Sequence, residues 1–179
     1  DDGIVIAPDE NMPESAIMAK IQEVTNKPWG DLTKEDLEKV LWLQLFAYDI
    51  VDLTLLEGLS KLGWLYLSGN KITDVTPLSE LSDLFSLHLS CNLLTDITPL
   101  SALINLRELN LSGNTISDLR PLAGLIELET LILSSNQTID LTPLHGLTKL
   151  KELYLYDNPN LSKAEIAQLQ KALPECRIT

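Results

Sequence analysis

Residues 81–102 read LSDLFSLHLSCNLLTDITPLSA, and the chain repeats this 22-residue pattern over most of its length. A degenerate copy of the pattern begins at Leu37. In this copy Tyr48 replaces the asparagine of the pattern, and Leu55 replaces the proline. Repetition at a short fixed period is typical of a solenoid, in which each unit buries its apolar face against its neighbours. The five regular units, which share the order L-x-x-L-x-x-L-x-L-x-x-N, begin at Leu59, Leu81, Leu103, Leu125 and Leu147.

The pattern within one unit predicts an α/β repeat fold. The two leucines of L-x-L point to one face, as in a strand, so the six units predict short parallel strands on the concave side of a right-handed solenoid. After a strand and two turns, a 22-residue unit leaves too little chain for a long helix. A proline late in each of four units also removes a backbone donor and disfavours helix before it. We therefore expect 3₁₀ or extended segments on the convex side.

Two polar positions recur once per unit. We interpret the asparagine column as structural, because a buried amide can bond the backbone of its own and the adjacent unit. We expect each aspartate to accept a bond from the turn that follows it. The aspartates could instead bind Ca²⁺, but a calcium loop needs several oxygen ligands within one loop, so we predict no metal or cofactor. The columns are Asn70, Asn92, Asn114, Asn136 and Asn158, and Asp52, Asp74, Asp96, Asp118 and Asp140.

Both ends of a solenoid need lids over their exposed apolar cross-sections. Before the repeats, Thr33-x-x-Asp36 resembles a capping box that opens a short second helix. The first helix is predicted over 13–25, with an apolar face at helical spacing. That helix is expected to start near Pro13 and to bury Ile17, Ile21 and Val24.

The C-terminal lid is predicted to be a single helix. Ser162-x-x-Glu165 is a capping box at its start, and Pro174 ends it. Its buried face is expected to comprise Ile166, Leu169 and Leu173. We therefore divide the chain into four parts. A loose acidic arm (1–12) and a helical N-terminal cap (13–36) precede the leucine repeats (37–161), and a capping helix with its tail (162–179) follows them.

One unit departs from the pattern. Thr138 stands where an inward isoleucine is usual, and Ile139 comes one place late, so we expect a small local distortion there. The two cysteines, Cys91 in the third unit and Cys176 beyond the sixth, are expected at least about 14 Å apart if strands stack every ~4.8 Å. A disulfide needs Cα atoms within about 7 Å, so both are predicted to be free thiols.

The charge balance excludes several classes of partner. The 179 residues carry 26 acidic and 13 basic side chains, for a net charge of −13, and residues 1–57 hold most of it. DNA, RNA and anionic lipid all need a basic surface, so none is expected as a partner. No run of 18 apolar residues is present, so no membrane insertion is predicted. The chain begins at Asp1 and reads as a mature or trimmed product.

The 22-residue unit is a leucine-rich repeat, and it resembles the repeats of the internalins and internalin-like surface proteins of Gram-positive bacteria. The lead-in NKPWGDLTKEDL at 26–37 resembles the helical cap that precedes such repeats, and the ending LPECRI at 173–178 is similar to endings of bacterial proteins of this type. The resemblance covers residues 13–179. It implies an exported protein, extracellular or on the cell surface, that binds another protein on its concave face.

The outward positions beside the strand leucines define the concave face. Seven of the nine aromatic residues fall among these 24 positions. Solvent-facing aromatic clusters mark binding surfaces, although the N-terminal cap with Trp29 could cover this one, or the rings could simply stack along the sheet. His88 and His145 lie on different sides of the repeats and suggest no metal pair. The predicted partner-binding residues are Trp42, Gln44, Phe46, Trp64, Tyr66, Phe85, His88, Glu108 and Asn110.

The first hypothesis is a monomeric interaction module that holds a protein or peptide on this face. The alternatives are an intracellular scaffold, like the eukaryotic 22-residue-repeat proteins that attach to phosphatases, and a surface protein that binds glycans. A signal peptide in the gene would argue against the scaffold, and a glycan array without hits against the glycan. No G-x-S-x-G, Gly-rich phosphate loop, H-E-x-x-H or Cys–His pairing is present, so no catalytic residue and no enzyme is predicted.

Overall fold

The computed structural model describes residues 15–28, 30 and 32–179. Each of the six units contributes one three-residue strand, and a seventh strand follows the last helix. The strands are β1 (Trp42–Gln44), β2 (Trp64–Tyr66), β3 (Ser86–His88), β4 (Glu108–Asn110), β5 (Thr130–Ile132), β6 (Glu152–Tyr154) and β7 (Arg177–Ile178). The helices are α1 (Ala16–Thr25), α2 (Lys34–Leu37) and α3 (Lys163–Ala172).

All seven strands pair in parallel, in the order of the sequence, and form one open sheet. The register advances by one unit at each step, so Trp42 lies opposite Trp64 and Leu43 opposite Leu65. A position in the repeat therefore becomes a column that runs along the solenoid. The predicted α/β repeat with short parallel concave strands is confirmed.

Short 3₁₀ turns lie on the opposite side of each unit from the strand. Most begin with Thr-Pro, because proline's fixed φ suits the first turn of a helix, where its missing N–H is not needed. These turns confirm the predicted 3₁₀ convex side. They span Thr54–Leu56, Thr76–Leu78, Thr98–Ala102, Arg120–Leu122 and Thr142–Leu144.

The inward aliphatic side chains form one continuous core from the N-terminal cap to the C-terminal helix. The central leucine of each strand is almost completely buried, as in Leu65, Leu87 and Leu109. Burying a leucine side chain contributes about 1.5–3 kcal/mol, so the stacked column drives association of successive units.

The asparagine column joins neighbouring units from within the core. Asn114 Nδ2 donates to the carbonyl oxygens of Leu89, at 3.0 Å, and Leu111, at 2.9 Å. Its Oδ1 accepts from the backbone N–H of Leu94, at 3.0 Å. Each asparagine thus satisfies buried backbone groups of two units, and the same pattern recurs from Asn70 to Asn158.

The aspartate column caps the 3₁₀ turns, as expected. In each of the first five units the aspartate Oδ1 accepts from the backbone N–H two residues later, at 2.8–2.9 Å. The side chain of that later residue, and then its backbone N–H, lower the pKa of each aspartate. The Arg120 guanidinium is the donor at Asp118 and lowers its pKa to about 2.

The helix α1 covers the apolar end of the first unit, and Ser15 caps it by accepting from the backbone N–H of Met18. Ile17 and Ile21 are buried, as predicted. The predicted burial of Val24 is wrong, because that side chain is 39% exposed and Met18 completes the buried face instead. α1 therefore packs on the first unit through the face that carries Ile17, Met18 and Ile21. Pro13 lies outside the described residues.

The predicted capping box at Thr33 is confirmed. The Asp36 carboxylate is buried and accepts from the Thr33 hydroxyl and backbone N–H, and from Lys27 and Lys39 at 2.6 and 2.8 Å. Lys27, then Lys39 and Thr33, hold the pKa of Asp36 well below its usual range. This cluster ties the chain after α1 to the start of α2.

At the C-terminal end, Ser162 caps α3 and Leu169 is fully buried on its inner face. The predicted capping box is wrong in one half: the Glu165 carboxylate does not return to Ser162 but accepts from the backbone N–H of Leu141 at 3.3 Å. The strand β7 was not predicted. It pairs Arg177 with Glu152 and so covers the edge of the last repeat strand.

The expected distortion at Thr138 is not found. Thr138 takes the inward position and is fully buried, whereas Ile139 is 55% exposed. The backbone N–H of Thr138 donates to Asn158 Oδ1 at 3.0 Å, as its equivalents do in other units. The unit keeps its register because the asparagine column fixes the backbone. The cost falls on the buried Thr138 hydroxyl, which has no hydrogen-bond partner among the described residues. Cys91 and Cys176 are free thiols, as predicted.

Candidate protein-binding surface

The strand positions on either side of each buried leucine face out from the concave side, because side chains alternate along a strand. Three aromatic side chains at the N-terminal end are strongly exposed there: Trp42 at 55%, Phe46 at 60% and Trp64 at 40%. The described part of the N-terminal cap therefore does not cover them. Trp29 lies outside the described residues.

Trp64 and Phe85 form one rigid aromatic unit. Their ring centroids are 4.2 Å apart and the rings meet edge to face, at 70°. Phe85 also lies directly over Gly63, where an added Cβ would come within 2.7 Å of Cε1. The absence of a side chain at position 63 lets the Phe85 ring lie down against the sheet, and this ring in turn supports the indole of Trp64.

A cluster of polar side chains on strands β2, β3 and β4 borders these rings. Tyr66 and His88 have ring centroids 4.8 Å apart. Glu108 accepts from the Ser86 hydroxyl at 3.0 Å, and its other oxygen lies 3.2 Å from His88 Nε2. Nε2 is close enough to this oxygen for an ion pair, but the angle between them does not fit a hydrogen bond. Among the described residues, the buried Nε2 therefore has no hydrogen-bond partner. Ser86 faces the concave side yet is buried beneath the cluster.

The remaining predicted polar residues lie on the same face. Gln44 is exposed at the end of β1, beside the aromatic residues. Asn110 is half-buried, and its Oδ1 accepts from the Ser112 backbone N–H and hydroxyl, which leaves its amide group available. All nine predicted residues thus lie on the concave side within four adjacent units, with Phe46 just beyond the end of β1.

A groove of about 350 Å³ runs between α1 and the first strand. Trp42, Phe46 and Tyr48 line one side, and Val24 with the ion-paired Lys20 and Glu23 lines the other. Tyr48 is 50% exposed but was not among the predicted residues, because it occupies the position of the column asparagine in the degenerate first unit. The missing asparagine was the signal that this position is free to face outward.

A second, larger groove of about 730 Å³ lies where the chain enters the strands. Trp64, Phe85 and Leu41 form its apolar half, over Gly63. Its other half is charged and includes Arg107. The concave face therefore presents aromatic side chains toward two adjacent hollows.

Aromatic residues also end the concave face at its C-terminal side. Tyr156 is 78% exposed, and the Tyr154 hydroxyl donates to Glu152 at 3.0 Å. This bond raises the pKa of Tyr154. Charged, polar and aliphatic side chains of the fourth and fifth units separate these tyrosines from the N-terminal group.

The described residues contain no group of three or more His, Cys, Asp or Glu side chains placed to hold a metal ion. Within the same residues, no helix is long and apolar enough to cross a membrane. What the concave face offers chemically is aromatic area, hydrogen-bonding groups and a few charges, which are the components of a protein-binding surface.

The fold and this surface define a leucine-rich repeat solenoid of the kind that binds other proteins. A family model described as "Leucine Rich repeats (2 copies)" matches residues 60–102, 82–124 and 126–169. The chain therefore belongs to the leucine-rich repeat family, and its structural relatives make it internalin-like. No catalytic family is indicated. A search of the curated proteins gave no match.

Two similar solved structures are internalins of Listeria monocytogenes. Internalin C2 is 30% identical with a TM-score of 0.61, and the match covers 92% of each chain. Internalin InlF is 29% identical with a TM-score of 0.72, and the match covers 92% of this chain but only 55% of that one. The leucine-rich repeat protein LIC12759 of Leptospira interrogans is 32% identical with a TM-score of 0.75, over 80% of this chain and 38% of that one.

Proposed function

We propose that this chain is an exported bacterial interaction module that binds a protein or peptide partner through the aromatic end of its concave face. The observation that carries the proposal is the exposure of Trp42, Phe46 and Trp64 on one rigid sheet. Large exposed aromatic side chains on a soluble protein cost solubility and are enriched among the residues that dominate binding energy.

The geometry of the sheet supports the same assignment. The rings project from paired strands above buried leucines, so little ordering entropy should be lost on binding. Gln44, His88, Glu108 and Asn110 surround the rings with polar groups, which is the usual anatomy of an interface: an apolar centre and a polar rim.

Surface display is the second part of the proposal, and it rests on similarity to the internalins of Listeria monocytogenes. Two observations test it. The gene should encode an export signal upstream of Asp1, and antibody against the purified chain should label intact cells. Labelling only after cell lysis would contradict surface display, but it would not bear on the proposal that the concave face binds a partner.

The binding surface is tested by capture of partners from host-cell surface extracts. The double substitution of Trp42→Ala with Phe46→Ala should abolish capture, because both side chains are more than half exposed and removing them leaves the core unchanged. Trp64 is less suitable, since it packs against Phe85.

The matched control is Tyr156→Ala, an exposed aromatic residue at the other end of the same face. It should capture the partner as the wild type does. Equal loss of capture in both variants, or a fall in the melting temperature of the double variant, would contradict the proposal.

A further inference from the structure

We propose that the larger groove binds an extended segment of the partner in which an apolar side chain is followed, two residues later, by an aspartate or glutamate. This groove, called here the Arg107 groove, is lined by Leu41, Gly63, Trp64, Phe85, Arg107 and Glu127. The inference rests on the proposed function and names the kind of sequence that this surface recognises.

The apolar half of the groove is a preformed socket for one side chain. Leu41 is 50% exposed on one side, and the Trp64 indole stands on the other. Gly63 has no side chain, so the Phe85 ring lies over it and forms the floor of the socket. An aliphatic or aromatic side chain placed there contacts three apolar groups without displacing any of them.

The charged half of the groove holds two cations and two carboxylates: Lys61, Arg107, Asp83 and Glu127. Lys61 pairs with Asp83 at 3.1 Å, and Glu127 pairs with Lys149, from outside the groove, at 2.6 Å. Both carboxylates of the groove therefore already have a lysine partner. In the part of the chain that the structure describes, Arg107 is the cation of the groove that has no close carboxylate partner of its own.

The Arg107 guanidinium is accessible and poorly bonded. Its nearest carboxylate among the described residues is Glu129, at 3.7 Å, and that carboxylate already accepts from Lys151. No hydrogen bond of the guanidinium occurs within the described part of the chain, and the side chain is 63% exposed. A guanidinium carries five donors in a fork that fits a carboxylate, so an acidic group of the partner is its natural counterpart.

The spacing of the two halves fits an extended chain. Parallel strands lie about 4.8 Å apart, so the groove spans roughly 19 Å from the first unit to the fifth, the length of about six extended residues. Arg107 lies one unit beyond Phe85 and two beyond Trp64, about 5–10 Å away by the same spacing. Residues i and i+2 of an extended chain point to the same side about 6.6 Å apart, and both halves can be filled at once.

The experiment compares two probe peptides, acetyl-GSFSDSG-amide and its isosteric partner acetyl-GSFSNSG-amide, by NMR titration of the whole chain at low salt. The aspartate peptide should bind about fivefold more tightly, as an exposed charge pair of about 1 kcal/mol predicts. Its shifts should centre on Trp64, Phe85 and Arg107. In Arg107→Gln the ratio should fall to about one, whereas the control Arg120→Gln, on the convex side, should keep it.

Equal affinity of the two peptides for the wild type, an unchanged ratio in Arg107→Gln, or no binding of either peptide at millimolar concentration would overturn the inference. Tighter binding of a peptide that ends in a free carboxylate, acetyl-GSSFSG, would assign the groove to a chain end instead and would also overturn it. None of these outcomes affects the capture experiment with Trp42 and Phe46, so the two proposals fail separately.

Discussion

The Phe85 ring occupies the space that a side chain on Gly63 would fill: an added Cβ would lie 2.7 Å from Phe85 Cε1. In Gly63→Ala the far end of the ring must swing away, and its edge-to-face contact with Trp64 is lost. We expect a loss of about 0.5–1 kcal/mol in the free energy of unfolding. The nuclear Overhauser effects between the two rings should disappear, which NMR measures directly.

The control for that variant is Gly124→Ala. Apart from its two chain neighbours, no described residue has an atom within 4 Å of a Cβ built on Gly124. The substitution should leave stability unchanged or slightly raised, since alanine restricts the unfolded chain. Equal behaviour of the two variants would contradict the role assigned to Gly63.

The asparagine column predicts a large effect from a small substitution. Asn114→Ala removes three hydrogen bonds to the buried backbone of Leu89, Leu94 and Leu111. Leaving such groups unpaired should cost about 3 kcal/mol in the free energy of unfolding, measured by urea denaturation. Asn110→Ala, in the same unit but on the concave face, should cost about 1 kcal/mol or less. Similar losses in the two variants would contradict the account.

The Thr138 hydroxyl predicts a stabilising substitution. It is fully buried and has no partner in the described part of the chain, so Thr138→Val should raise the free energy of unfolding by about 1 kcal/mol at nearly constant volume. Thr115→Val is the matched control, because the Thr115 hydroxyl is exposed and donates to Leu94. That variant should be neutral or slightly destabilised. Destabilisation of Thr138→Val would mean that its hydroxyl has a partner in solution.

The buried Asp36 carboxylate predicts a dependence of stability on pH. Its pKa in the folded chain lies well below the value of about 3.9 of an unfolded aspartate, so the unfolded chain binds the extra proton first. The stabilisation is complete only above about pH 5 and is lost progressively as the pH falls further. Asp36→Asn should therefore be less stable than the wild type at pH 7, by a margin that shrinks below about pH 5. The measurement is urea denaturation of both proteins from pH 3 to 7. A difference in unfolding free energy that stays constant over this range would contradict the prediction.

The repeat is the part of the fold that the sequence predicts best. Because every unit has the same length, the strand register, the leucine core and the asparagine and aspartate columns all follow from one period. The ends depend instead on tertiary contacts. Helical spacing in α1 predicted that Val24 would face the repeats, but packing on the first unit buries Met18 instead. Arg177 and Ile178 show no strand pattern in the sequence and form β7 only because β6 provides an edge to pair with.

The candidate site was predicted in its membership but not in its detail. Alternation along the strands assigns Trp42 and Trp64 to the concave face, and the repeat pattern adds Phe85, just before β3. It does not indicate that Phe85 lies on Gly63, that Ser86 is covered, or that Tyr48 joins the groove beside α1. These features depend on the packing of side chains between neighbouring units, which no pattern within a single unit encodes.

The most direct test of the account is the affinity of the captured partner for the Trp42→Ala, Phe46→Ala double variant, measured by isothermal titration beside the wild type and Tyr156→Ala. Interface aromatic residues of this kind each contribute about 2 kcal/mol or more. We predict binding at least about a hundredfold weaker in the double variant and unchanged in Tyr156→Ala, with equal melting temperatures. Wild-type affinity in the double variant would show that the partner binds elsewhere.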